Sequence, residues 1–239
     1  VVHEINDVIL NRLINEQIDN TDFSEPTPMA VEALSAFLRV IHASPDAPEV
    51  DIYVNDEAVI TDLAFGSVTD FANLDSGEYS IAVVAAGAEL DEAVIGPLDV
   101  RLEADSVTTV AAVGSLEGET LEAVLLTDTE TLEADASRII IFHALEGGPF
   151  VDVLADGEVL VTAIEYPGFV VVDVPAATYV IDVIEDGTPE NSLFSADEYE
   201  ALAGSYQLVA VMGNPDDIVV LTESVSGDEI GLLDAEQTE

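Results

Sequence analysis

Two histidines recur at matched places in this chain, and imidazole is the side chain best suited to acid–base or metal chemistry near neutral pH. His42 closes the stretch Arg39-Val-Ile-His42-Ala43, and His143 closes Ile140-Ile-Phe-His143-Ala144. A carboxylate follows each one, Asp51 after the first and Asp152 after the second. A His–Asp pair of this kind could be an acid–base couple or supply metal ligands. Hydrolytic chemistry would need a nucleophile beside it, yet Ser44 in the first stretch becomes Leu145 in the second. No G-x-S-x-G element occurs either. Histidines at 3, 42 and 143 do not make a zinc site, and the chain has no cysteine. The expectation is therefore structural. Imidazole and carboxylate bond across the connecting loop, so that His42, Asp51, His143 and Asp152 form a polar lock, and no catalytic, cofactor-binding or metal residue is assigned.

Other candidates are weaker. No D-x-[DN]-x-[DN]-G calcium loop is present. Asp46, Glu49 and Asp51, or Glu185-Asp186, or Asp216-Asp217, could form shallow cation sites, but each reads as a solvated charged turn. No cofactor is expected beyond nonspecific Ca2+ or other cations. Tyr79 and Tyr179 recur before a strand and read as corner tyrosines that bond locally.

The elements that position these residues come from a duplication. Pro48-Glu-Val50-Asp51-Ile52 returns as Pro149-Phe-Val151-Asp152-Val153, and Gly77-Glu-Tyr79-Ser-Ile81 as Ala177-Thr-Tyr179-Val-Ile181. Ser106 through Gly114 matches Ser205 through Gly213, and Leu126-Thr127 matches Leu221-Thr222. Order is kept while the offset drifts, as small loop insertions and deletions would produce. In the first unit, strands are expected at 38–43, 50–54, 58–60, 68–74, 79–85, 94–102, 107–113 and 121–127. They are rich in Val, Ile and Thr and are punctuated by Gly and Pro. Within Val50-Asp-Ile52-Tyr-Val54, alternation puts Asp51 and Tyr53 on one face and the aliphatics on the other. This number of short strands indicates an all-β fold of two tandem β-sandwich domains, 38–127 and 138–225. An acidic linker, 128–137, joins them and an acidic tail, 226–239, follows. Thr188–Ala203 reads as an insertion beside the repeat.

Leu38-Arg-Val-Ile-His-Ala-Ser-Pro-Asp-Ala-Pro-Glu-Val-Asp-Ile-Tyr-Val54, followed by Phe65-Gly66 and Gly77-x-Tyr79, resembles the "domain of unknown function 4397" family of secreted and surface proteins. The resemblance implies Ig-like or prealbumin-like sandwiches, often in tandem, and an exterior location, and it supplies no catalytic residue. The second unit is a degenerate copy. There Ser44-Pro-Asp46 has become Leu145-Glu-Gly147, and Gly66 falls opposite Pro167.

Composition narrows the partners. Fifty acidic residues against four basic ones, all Arg, give a formal charge of −46. Such a chain repels nucleic acid, whose binding depends on Lys and Arg, and attracts cations or a basic partner. Disorder would ordinarily follow from such charge, but 49% hydrophobic residues supply a core. No apolar run is long enough for a membrane-spanning helix. The start at Val1 without a leader suggests a processed mature chain, though a trimmed chain would look the same.

Residues 1–37 lie outside the repeat, as an N-terminal arm and spacer. Ile5, Val8, Ile9 and Leu13 suit a helix, while Val8, Leu10 and Ile14 suit a strand face. The arm is expected to be extended or mixed. Its apolar residues Val1, Val2, Ile5, Val8, Ile9, Leu10, Leu13 and Ile14 suggest a donor segment that adds to the sandwich of another copy. The resulting expectation is a non-enzymatic structural subunit, extracellular or at the cell surface, that self-assembles noncovalently head-to-tail into a filament or matrix. Its partners would be copies of itself and cations. The alternative is a monomeric secreted or surface binding or adhesion module for a cation, glycan or protein.

Overall fold

A computed structural model describes residues 34–233. The fold is all-β, with sixteen strands and no α-helix among the described residues. The first eight strands are β1 (Ser35–His42), β2 (Val50–Val54), β3 (Glu57–Leu63), β4 (Ala72–Asp75), β5 (Gly77–Ala85), β6 (Ile95–Leu102), β7 (Val107–Val113) and β8 (Glu122–Asp128). The second eight are β9 (Ala136–Leu145), β10 (Val151–Ala155), β11 (Glu158–Ile164), β12 (Gly168–Pro175), β13 (Ala177–Glu185), β14 (Thr188–Ala201), β15 (Ser205–Asn214) and β16 (Asp217–Ser226). Each half has two four-stranded sheets. Their orders are β3-β2-β5-β6 and β4-β1-β7-β8 in the first half, and β11-β10-β13-β14 and β12-β9-β15-β16 in the second. Strand for strand the orders repeat, including the parallel pairs β1–β7 and β9–β15.

Three apolar layers join the four sheets. Leu38, Val40, Ile52, Ile81, Val83 and Val110 fill the space between the sheets of the first half. Ile139, Ile141, Val153, Ile181, Val183 and Val209 do so in the second. The third layer lies between the halves, where Ile41, Val107, Ala111 and Val113 meet Phe142, Tyr206, Leu208 and Met212. The β1- and β9-containing sheets are thus covered on both faces. This explains why β7 is buried throughout and why its sequence, Val-Thr-Thr-Val-Ala-Ala-Val, is nearly continuous in apolar and small residues.

The central layer corrects two expectations. Segment 128–137 is not a free linker, because Leu132 is only 1% exposed and its N–H donates to the Leu232 carbonyl at 2.7 Å. The stretch from 226 is not simply an acidic tail either, since Ile230 and Leu232 are buried in the same layer. Apolar residues spaced among acids look solvated in sequence, but the open rim of a double-faced sheet draws them in.

Two strands also differ from expectation. Thr188–Ala201 is no insertion. It is the edge strand β14, paired with β13, and is the counterpart of β6. Three register shifts along the β13–β14 ladder break its alternation and mask it. The strand expected over 68–74 is regular only as β4, Ala72–Asp75, with a single further bridge between Val68 and Ile41. Ile41 opposite Val68 and Leu38 opposite Ala72 leave one residue extra on the β4 side, a bulge over Thr69–Phe71. β12 pairs with β9 from Gly168 to Pro175 without such a break.

Candidate functional site

The histidines and aspartates do not bond to one another. Each pins a different piece of backbone. His42 Nε2 lies 2.9 Å from the Pro48 carbonyl, and the Ser44 N–H reaches its Nδ1 at 3.3 Å. A carbonyl can only accept, so the ring is the neutral Nε2–H tautomer. His143 repeats this with Pro149 and Leu145 at 2.9 and 3.4 Å. Phe65 and Tyr166 stand edge-on to the two rings, at 6.2 and 6.1 Å. Asp51 accepts from Asp62 N–H and Gly87 N–H, both at 2.9 Å. Asp152 accepts from Ala163 and Gly187 at 2.8 and 3.2 Å. Asp62 and Ala163 sit at irregularities in the β2–β3 and β10–β11 ladders with positive φ of 57° and 52°. The carboxylate satisfies the N–H that the bulge leaves unpaired. The expected lock across one loop is therefore two separate clamps per half. The Asp46 oxygens are also taken, by the Ser115 hydroxyl at 2.6 Å and by the N–H groups of Leu116 and Glu117 at 2.8 and 2.9 Å. Burial alone would raise its pKa, but these bonds outweigh that and hold the carboxyl below its ordinary range.

Burial holds both imidazoles below their ordinary pKa, against the opposing pull of the Pro48 and Pro149 carbonyls. The unfolded chain then binds protons that the folded chain does not, so these rings withdraw stability as pH falls below about 6.5. A His42→Gln/His143→Gln double variant should keep its fold at pH 7.5 and lose less stability than wild type between pH 7 and 5 in urea titrations. Parallel profiles would refute neutral buried rings.

A different residue has the features of a binding site. Arg39 on β1 is 5% exposed. Its Nε donates to Thr109 Oγ1 at 2.9 Å, and its guanidinium carbon lies 4.4 Å from the Phe71 ring centre and 5.9 Å from that of Tyr206. Among the described residues its Nη2 is a buried donor without a hydrogen-bond partner, and no carboxylate of theirs forms an ion pair with it. Burial pulls its pKa down to about 10, against the pull of Tyr206 and Glu223, so it remains a cation at neutral pH. A desolvated charge that no described carboxylate pairs is costly; in a chain with fifty acids it is also unusual. Arg138 shows the ordinary solution, with Asp128 and Asp173 both in salt bridges to its guanidinium.

Arg39 lines a cleft of about 470 Å³ between the halves, a volume within the usual range of ligand sites. Thr69 and Asp70 from the bulge form one wall with Phe71, and Glu223 and Ser224 of β16 form the other with Glu229. Buried donor, aromatic ring, hydroxyls and carboxylates converge there. Sequence reasoning missed Arg39. The available signal was a lone Arg in an apolar strand where the second unit has Ile140. The eight apolar arm residues from Val1 to Ile14 lie outside the described residues.

The family described as a domain of unknown function (DUF4397) matches residues 36–149, the first half and the start of the second, which supports the resemblance there. No curated protein matches the chain. Among solved structures, the Bacillus anthracis TIE protein is 13% identical over 76% of this chain at a TM-score of 0.25, and the chain spans about a third (34%) of that protein's length. A family CBM26 module of Eubacterium rectale Amy13K, in complex with maltoheptaose, is 13% identical, with 80% of this chain and 99% of the module covered and a TM-score of 0.25. A streptococcal virulence factor described for alpha-glucan binding is 10% identical over 79% of this chain and 97% of its own, with a TM-score of 0.24. Likenesses this distant assign no ligand to this chain. Among the described residues no helix is long and apolar enough to cross a membrane.

Proposed function

We propose that this chain is a secreted or cell-surface binding module, not an enzyme, built from two diverged copies of one family domain, and that it takes a neutral glycan in the Arg39 cleft. The observation that carries this reading is the unpartnered Nη2 of a buried guanidinium lining the cleft. A ligand there must accept from Arg39 and donate to the surrounding carboxylates of Asp70, Glu223 and Glu229. Sugar hydroxyls do both, and the Phe71 ring adds an apolar surface. The charge of −46 disfavours an anionic ligand, and the same acidic coat suits an exterior environment. Head-to-tail assembly through the arm concerns residues outside those described, and nothing in the described fold favours it over binding.

The test is a glycan array followed by calorimetry on wild type and on Arg39→Ile, which installs the residue found at the matched place of the second half. Neutral oligosaccharides should be retained and acidic ones rejected. Arg39→Ile should weaken binding by about 10- to 100-fold, the effect of losing a hydrogen bond from a charged donor, with an unchanged far-UV spectrum. Absence of any neutral ligand, or equal binding by the variant, would overturn the proposal.

A further inference from the structure

The duplication contains an internal control for a second site. Between the two sheets of the first half, beside the open edge where β4 lies, is an apolar cavity of about 390 Å³. Five of its lining residues, Leu38, Val40, Ile52, Val59 and Ile81, occupy the places of Ile139, Ile141, Val153, Leu160 and Ile181 in the second half. Those five surround only about 10 Å³. The two halves share one strand order, so the opening is not a requirement of the fold.

Particular side chains account for the difference. On β12, Val170, Val172 and Val174 pack into the second core without interruption. Counting along β4 past its bulge, Thr69 and Ala72 stand in the places of Val170 and Val172. Val59 replaces Leu160 and is 52% exposed. On the facing sheet Val100, opposite Tyr79, stands where Tyr199 lies opposite Tyr179. Each of these four exchanges removes volume or apolar surface in the first half, whereas Ile52 for Val153 and Leu74 for Val174 add one methylene each. An unfilled apolar space costs stability, and this chain fills the same space elsewhere with its own residues.

We infer that the first half binds an apolar ligand in this cavity: a slender alkyl chain on a molecule without negative charge. The lining accommodates the chain. Arg39 also lines the cavity, but its guanidinium is held by Thr109 and lies over the Phe71 ring. The charge preference therefore follows from Asp70, exposed at the rim, and from the −46 of the whole protein. The cavity opens at the same sheet edge as the Arg39 cleft, and Arg39, Thr69, Asp70 and Phe71 line both; the alkyl reading does not depend on the glycan reading.

Calorimetry on the full chain with decanol, decyltrimethylammonium and decanoate, each below its micellar concentration, tests the inference. Decanol and decyltrimethylammonium should bind one to one, with decanoate at least tenfold weaker. A Val59→Leu/Ala72→Val variant, which imports the residues of the second half, should weaken both ligands more than tenfold with Tm held or raised. If the double variant fails to fold, Ala72→Val alone reads the same space. Absence of saturable binding, equal binding of decanoate, or unchanged affinity in the filled variants would each overturn the assignment. Val59 and Ala72 line the cavity and not the Arg39 cleft, so the filled variant should bind neutral glycans as wild type does, which separates a failure here from a failure of the glycan site.

Discussion

Replacing Arg138 with Met is expected to cost about 3–5 kcal/mol of folding free energy, the usual penalty for stranding one member of a buried ion pair. Arg138 is 2% exposed and Asp128 is 7% exposed. Nε and Nη2 bond Asp173 at 2.7 and 2.6 Å, and Nη1 bonds Asp128 at 3.0 Å. Further bonds reach the Glu130 and Thr131 carbonyls. The bonds to Asp173, aided by the Asp128 charge and opposed by burial, raise the guanidinium pKa above its ordinary value. Removing it leaves Asp128 buried without a counterion and two carbonyls without a donor. The expected Tm loss is roughly 6–20 °C for a chain of this size. Lys at this position should recover only part of the loss, because an ammonium lacks the planar fork that bridges two carboxylates. Arg39→Ile should behave differently, with a change of about 1 kcal/mol or less. It strands no described carboxylate, and the lost Thr109 bond and ring contacts are offset by relief of a buried charge that no described carboxylate pairs. A loss at Arg39 equal to that at Arg138 would mean that Arg39 is kept for stability, and calorimetric unfolding of both variants decides the matter.

Expressed alone, residues 34–128 should not form a soluble, cooperatively folding monomer. Phe37, Ile41, Ala43, Val107, Ala111, Val113 and Leu126 would lose their cover from the second half. A soluble monomer rarely exposes an apolar patch of that extent. Leu132, Ile230 and Leu232 close the rim of this layer from outside the two sets of strands, so even a cut placed between the halves removes structural residues. Size-exclusion chromatography with light scattering should find aggregates or dimers that bind a hydrophobic dye. The intact pair should unfold in one transition. Independent monomeric folding of 34–128, with a melting point near that of the whole, would show that the central layer contributes little.

Much of the architecture was legible in the residues themselves. The matched series around His42 and His143, Asp51 and Asp152, and Tyr79 and Tyr179 implied two copies, and Val-, Ile- and Thr-rich runs between Gly and Pro located most strands. These signals are local, since a strand's period and a turn's residue types depend on nearby backbone geometry. Tyr79 and Tyr179 do bond locally, to the carbonyls of Asp75 and Pro175 at 2.7 and 2.9 Å.

Where a residue's meaning depends on what is packed against it, the sequence was silent. The clamp partners of Asp51 are Asp62 and Gly87, neither of them the histidine beside it in the motif. Arg39 looks like any charged residue until Phe71, Thr109 and Tyr206 are seen to enclose it from three separate segments. Leu132 and Leu232 looked solvated until the two halves met over them. Strand periodicity determined that each half would be a sandwich. That the sandwiches stack into four layers, leaving the Arg39 guanidinium without an ion pair among the described residues and one core open, was decided only by long-range packing, because burial, desolvation and cavity volume are properties of the assembled neighbours.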